Sequence, residues 1–214
     1  MSKFAGVFCV LFLLCSVSAH AAASGTPTQG DILRNWFKIY SKDFKKIKSK
    51  DLLVTGRAVG GQMLDGLEAT GLQTGSTKFS TLTIGLQTAL TRLKTDIETL
   101  RSKISTTNNQ IGKLVNDLRL AAATGTPPQI DTVQTLVTGV HIGLADGVLA
   151  AKEITVISES STAVTGTTGL DPTIATNLRA DVTALLVGPH ATQSDVDLIK
   201  TDLATVGTLL KSEP

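Results

Sequence analysis

The chain has 214 residues, and its 20 Lys and Arg against 18 Asp and Glu leave a formal net charge of +2. That near balance over the whole chain counts against a nucleic-acid-binding protein, which carries a strong positive excess. Apolar residues make up 42% and charged residues 18%, a balance that supports a packed core and excludes a wholly disordered chain.

Met1-Ser2-Lys3 supplies a positive start, Phe4 to Val17 a short apolar run, and Ala19-His20-Ala21 a small-x-small cleavage site. This is the pattern of a secretory signal peptide over residues 1–21, with cleavage as late as 23, and it predicts an extracellular product. Cys9 and Cys15, the two cysteines, both lie inside it, so a disulfide-free mature chain must be held by packing alone. At about 190 residues it buries roughly 70% of its unfolded surface, enough to do so. Crossing a bilayer takes about 20 consecutive apolar residues; the Phe4–Leu14 run is shorter and no other run approaches that length.

Residues 22–30 read as a flexible leader ending at Asp31, a helix N-cap candidate. From Asp31 to Lys50 the residues Leu33, Trp36, Phe37, Tyr40, Phe44 and Ile47 recur at helical spacing within an arc of roughly 100°. Lys38, Lys42, Lys45 and Lys46 take the opposite side. Seven basic residues and two acids give this segment a local charge of +5, whereas the chain after Lys50 has twelve basic and sixteen acidic residues, or −4. Four of the five aromatics after the signal segment are also here, and only Phe79 lies elsewhere. The segment stands apart as a basic, aromatic amphipathic helix, and residues 51–214 read as a helical bundle with an aliphatic core.

In that bundle, Leu52 to Thr70 carries a helical rhythm interrupted by Gly56, Gly60, Gly61 and Gly66. Ser76 to Ala123 carries the most regular pattern: Phe79, Leu86, Leu90, Leu93, Ile97, Leu100, Ile104, Ile111, Leu114 and Leu118 follow a three-four repeat, with Thr83 and Thr107 in polar slots. One long heptad helix or a helical hairpin turning near Thr106–Asn109 both satisfy it, and the Leu86–Leu118 stripe offers a seam for self-association. Pro127-Pro128 breaks the chain near 124–128. Gln129 to Ser158 predicts a central helix, apolar nearly all round, with a ridge of Gly139, Gly143 and Gly147; its β-branched Ile154–Ile157 end also suits a strand. Ser158 to Gly169 reads as a loop. Asp171-Pro172 opens a helix that ends at Gly188-Pro189, and Ser194-x-x-Asp197 resembles a capping box opening the last helix, to Lys211. Five or six amphipathic helices with short links predict an all-α helical bundle.

Motifs for chemistry are missing. His141 and His190 stand on separate elements without His or Cys partners, which suits structural residues better than metal ligands. There is no Gly-x-Ser-x-Gly elbow, the glycines of 56–75 lack the Gly-Lys-Ser/Thr end of a phosphate loop, and Asp195, Asp197 and Asp202 suit the start of a helix. No cofactor, metal or enzymatic activity is expected.

In overall character, a secreted, cysteine-free set of amphipathic helices, the chain resembles insect exchangeable apolipoproteins, and its threonine-rich helices are similar to those of fungal hydrophobic-surface-binding proteins. Both resemblances are of character and assign no individual residue. The basic-aromatic helix carries the sharpest functional expectation. Leu33, Trp36, Phe37, Tyr40, Phe44 and Ile47 would meet a lipid or other hydrophobic surface while Lys38, Lys42, Lys45 and Lys46 face anionic head groups. The alternative for this helix is that the rings dock on the bundle and leave a solvated lysine face; the alternative function is a structural or partner-binding protein of an extracellular layer or secretion, whose long heptad segment binds a partner chain.

Overall fold

The computed structural model describes residues 26–47, 52–123, 127–145 and 151–213; the signal segment and most of the leader lie outside them. Among the described residues there are seven α-helices and no strand. Helix α1 spans Gln29–Phe44. Its N-cap is Thr28, whose hydroxyl accepts from the Asp31 amide at 3.1 Å while the Asp31 carboxylate accepts from the Thr28 amide at 3.1 Å. Asp31 is thus the third helical residue rather than the cap, because Thr28-x-x-Asp31 satisfies two amide donors reciprocally where Asp31 alone would satisfy one. The same shift occurs at α7 (Gln193–Leu209), whose box is Thr192 with Asp195 instead of Ser194 with Asp197. Asp197 lies inside the helix and accepts from Gln193 and Lys200. Helix α6 (Pro172–Val187) begins as expected: the Asp171 carboxylate accepts from the Thr173 and Ile174 amides, and Gly188 ends the helix.

Helix α2 (Arg57–Ala69) follows a π-helical turn, Leu52–Gly56, and together they occupy the helix expected from Leu52. A Cβ added to Gly60 would come within 3.0 Å of Ile97, so this glycine permits close approach to α3. Helix α3 is one unbroken helix, Ile84–Ala123, about 60 Å long. Thr107 does not break it, since its buried hydroxyl donates to the Lys103 carbonyl at 3.0 Å.

The helix expected from Gln129 to Ser158 is two, α4 (Ile130–Ala145) and α5 (Ala151–Thr165), folded back on one another so that Gly139 lies against Val156 and Ile157. Nor is the segment after Ser158 a loop: Thr162 and Thr165 donate to the Ser158 and Ser161 carbonyls, and helix persists to Thr165. Composition misleads here because a threonine hydroxyl bonded to the carbonyl four residues back is compatible with helix. Nor is α4 central. Ile130 is 73% and Ile142 60% exposed, so its apolar surplus faces outward. In the glycine ridge, Gly139 meets Val156 and Ile157, Gly143 is buried, and Gly147 lies outside the described residues. A Cβ at Gly139 would just touch Val156 and Ile157, at 3.4 Å from each, leaving no room for the rest of a leucine, so Gly139→Leu is expected to lower stability by about 1–3 kcal/mol through overpacking. A melting temperature at or above the parent's would reject that contact.

The helices enclose two cores strung along α3. Leu86, Leu90, Leu93, Ile97, Leu100 and Ile104 of its first half pack with α1, α2 and α7. Leu114, Leu118 and Ala121 of its second half pack with α4, α5 and α6. Each core is a four-helix bundle, and α3 belongs to both. The heptad stripe expected to serve self-association is therefore covered within its own chain, by α7 over one half and α6 over the other.

The seam holds a constant register. Asp96 meets Asp202, Lys103 meets Asp195, the Gln110 amide lies beside Gly188, and Asp117 meets Asp181. Each step of seven along α3 is matched by a step of seven backward along α7 and then α6, the register of antiparallel neighbours. The lobes repeat one another through this seam. Arg92 pairs with Asp202 at 3.0 Å in the first lobe, and Lys113 pairs with Asp181 at 2.8 Å in the second. The caps Asp171 and Thr192 share the 21-residue offset that separates Asp181 from Asp202.

Candidate functional site

Helix α1 is one wall of the first lobe. Leu33, Trp36, Phe44 and Ile47 are buried, with Phe37 and Tyr40 packed partly exposed against the same core. Trp36 Nε1 donates to the Met63 carbonyl of α2 at 3.0 Å, and Phe37 lies against Gly207 of α7. Most of the apolar arc singled out as a surface contact thus faces the bundle in this folded form, because an arc that suits lipid suits leucine equally well. Lys38, Lys42, Lys45 and Lys46 are exposed as expected, with Lys46 2.9 Å from Asp43. The far end of α1 is tied down by Arg34, whose Nη1 donates to the Leu210 and Glu213 carbonyls at 3.0 and 2.9 Å. The Glu213 carboxylate in turn accepts from the Thr83 amide and hydroxyl at 3.0 and 2.7 Å.

Where α1 crosses α2, the two leave an open groove of about 420 Å³. Trp36 and Tyr40 line it, their ring centroids 6.3 Å apart and tilted by 41°. Ile32, Ile39, Asn35 and Asp31 add the α1 side, and Gly66, Ala69 and Thr70 the α2 side. Gly66 lets the Tyr40 ring lie against α2, since a Cβ at that position would overlap the ring and push it aside. Ile39 is 51% exposed and forms an apolar lip. Lys42 follows Asn35 by seven residues and Lys38 by three, so both continue the groove's polar flank along the helix.

The sequence pattern singled out Trp36 and Tyr40 but missed Ile32 and Ile39. They lie seven residues apart, just off the main apolar arc, and such an off-arc pair was the available signal. The α2 contribution had no signal, since Gly66 read only as an interruption.

Other candidates for chemistry are dispersed. His141 is exposed on α4. His190 is half-buried with Nδ1 3.5 Å from Thr107 Oγ1, and burial lowers its pKa. Asp195 is consumed by its capping box and by Lys103 at 2.7 Å, and Asp202 by Arg92 and Asp96. Among the described residues no group of three or more His, Cys, Asp or Glu is placed to hold a metal ion, and no helix is long and apolar enough to cross a membrane.

Fold and groove define an all-helical protein of two four-helix bundles sharing one long helix, with an aromatic-lined apolar groove beside a lysine-bearing helix face. No family model, characterised protein or solved structure matches the chain.

Proposed function

We propose that this is an extracellular, non-enzymatic binding protein that takes lipid or another hydrophobic surface at the α1–α2 face of its first lobe. The observation that carries the reading is the groove: Trp36 and Tyr40 line it and Ile32 and Ile39 edge it, while the exposed Lys38 and Lys42 stand three and seven residues beyond its Asn35 on the same helix. Rings set in an apolar cleft take up acyl chains or other apolar groups, and lysines beside them favour an anionic interface. The threonines support the same reading. Thr88, Thr91, Thr95 and Thr99 each donate to the carbonyl four residues back, which satisfies the hydroxyl locally and leaves a weakly polar helix surface.

Trp36 is the chain's only tryptophan, so its emission reports on the groove directly. Vesicles of phosphatidylglycerol carrying brominated acyl chains are expected to quench it. Ile39→Asp should abolish quenching with little change in melting temperature, because Ile39 is exposed. Gln at Lys38, Lys42, Lys45 and Lys46 should weaken binding by about 1 kcal/mol per lysine near the surface. A parent protein whose emission ignores both vesicles and oil droplets would end this proposal.

A second reading, a structural or partner-binding protein, draws on α4 and α5, where Ile130, Ile142 and Ile154 are exposed. It predicts a concentration-dependent oligomer that Ile142→Asp disperses.

A further inference from the structure

The cations of α3 that face the seam each meet an acid: Arg92 meets Asp202, Lys103 meets Asp195, and Lys113 meets Asp181. Arg101 lies outside that set. It points from α3 toward α2, where two consecutive glycines make room for it. A Cβ on Gly61 would stand 3.4 Å from its Nη2, and one on Gly60 would stand 3.5 Å from its Cγ. The guanidinium therefore lies along bare α2 backbone. Its Nε is fully covered and has no acceptor, and among the described residues no carboxylate lies within ion-pair distance of Arg101 or of Arg57. A half-buried guanidinium with an unsatisfied donor is unfavourable by itself, since it has given up water without gaining a partner.

Beside it opens a groove of about 510 Å³ lined by Arg57, Ala58, Gly61, Gln62, Asp65, Arg101 and Asn108. Two guanidinium groups and two side-chain amides converge there against one carboxylate, a donor-rich lining with a surplus positive charge. The geometry points to an oxyanion seat between α2 and α3, in which Arg101 and Arg57 bind a carboxylate or phosphate group of a small ligand. A planar fork matches two oxygens of such a group at once, which an ammonium does not. Asp65 restricts the seat to groups whose charge outweighs its own repulsion. The seat is independent of the α1–α2 groove, on a different flank of α2, and stands or falls without it.

The test is titration of the full chain with inorganic phosphate and, in a separate arm, with acetate, each against sodium chloride of equal ionic strength, read by melting temperature and by calorimetry. Binding of either oxyanion should raise the melting temperature above the chloride control, and the arm with the larger rise identifies the favoured group. Arg101→Gln and Arg57→Gln are each expected to weaken binding at least tenfold, Arg101→Lys should fail to restore it, and Asp65→Asn should tighten it. Arg57 is exposed, so Arg57→Gln keeps the test decisive even if the Arg101 variants lose stability. No rise beyond the chloride control with either oxyanion, or affinity unchanged in Arg57→Gln, would overturn the assignment.

Discussion

Raising the pH from about 4 to about 7 is expected to weaken the fold, with the Asp202 carboxyl alone accounting for as much as roughly 3 kcal/mol. Asp202 is 4% exposed, and burial, reinforced by its hydrogen bond to Asp96, pushes its pKa from 3.8 to about 6 against the opposing pull of Arg92. Asp96 Oδ2 and Asp202 Oδ2 are both buried and lack a donor, which is the arrangement a shared proton satisfies. A folded-state pKa above the unfolded one means that the folded form binds the extra proton. The stabilisation is complete below about 3.8 and is lost as pH rises through about 6. Asp117, facing Asp181 and Lys113 in the second lobe, is raised by burial and acts in the same direction. His190 acts oppositely: burial lowers its pKa, so its contribution is lost as pH falls. The capping acids Asp31 and Asp171, lowered by Arg34 and by the Ile174 amide respectively, also lose theirs in stronger acid. Comparing Asp202→Asn with the parent cancels these other groups. Melting curves from about pH 4 to 7.5 should show a steep fall for the parent and a shallower one for the variant. Parallel falls would dismiss the shared proton.

Trp36→Ala is expected to remove about 3–5 kcal/mol of stability and to open the first lobe. The ring is 3% exposed, and its loss would also deprive the Met63 carbonyl of its donor. Urea denaturation followed by far-UV circular dichroism measures this, and a loss below about 1 kcal/mol would show that the lobe does not rely on the ring. The result also governs how binding is tested. A variant that unfolds the lobe cannot separate a contact from a core position, whereas Ile39→Asp, on the exposed lip, can.

Periodicity made much of this fold legible. It marked five apolar positions of α1 and Ile47 just beyond its end, the buried leucines and isoleucines of α3, the Asp171-Pro172 opening of α6 and the Gly188 stop. What it does not encode is what covers a face. The arc of Leu33, Trp36 and Phe44 reads the same whether lipid or α2 and α7 lie across it, and the outward isoleucines of α4 read as a central helix. The division between α4 and α5 was hidden for a related reason, since 139 and 157 lie on matching faces whether the chain runs straight or folds back. The groove was legible only on its α1 side, because its α2 side is made by the absence of a side chain at Gly66.

The shared helix has a consequence for the order in which the molecule is built. The second lobe is contiguous, running from the latter half of α3 through α6, whereas the first is interrupted: α1, α2 and the start of α3 wait for α7, with Lys103 and Asp195 92 residues apart and Thr83 and Glu213 130 apart. The second lobe is in effect inserted into the first. Local contacts close faster than distant ones, and domains emerging from the ribosome fold as they are completed. The inserted lobe should therefore assemble first and present the α6–α7 junction as a template on which the first lobe closes. During that interval Phe37, the ring of α1 that lies against α7, has nothing to cover it, whereas Trp36 and Tyr40 already have α2 beside them.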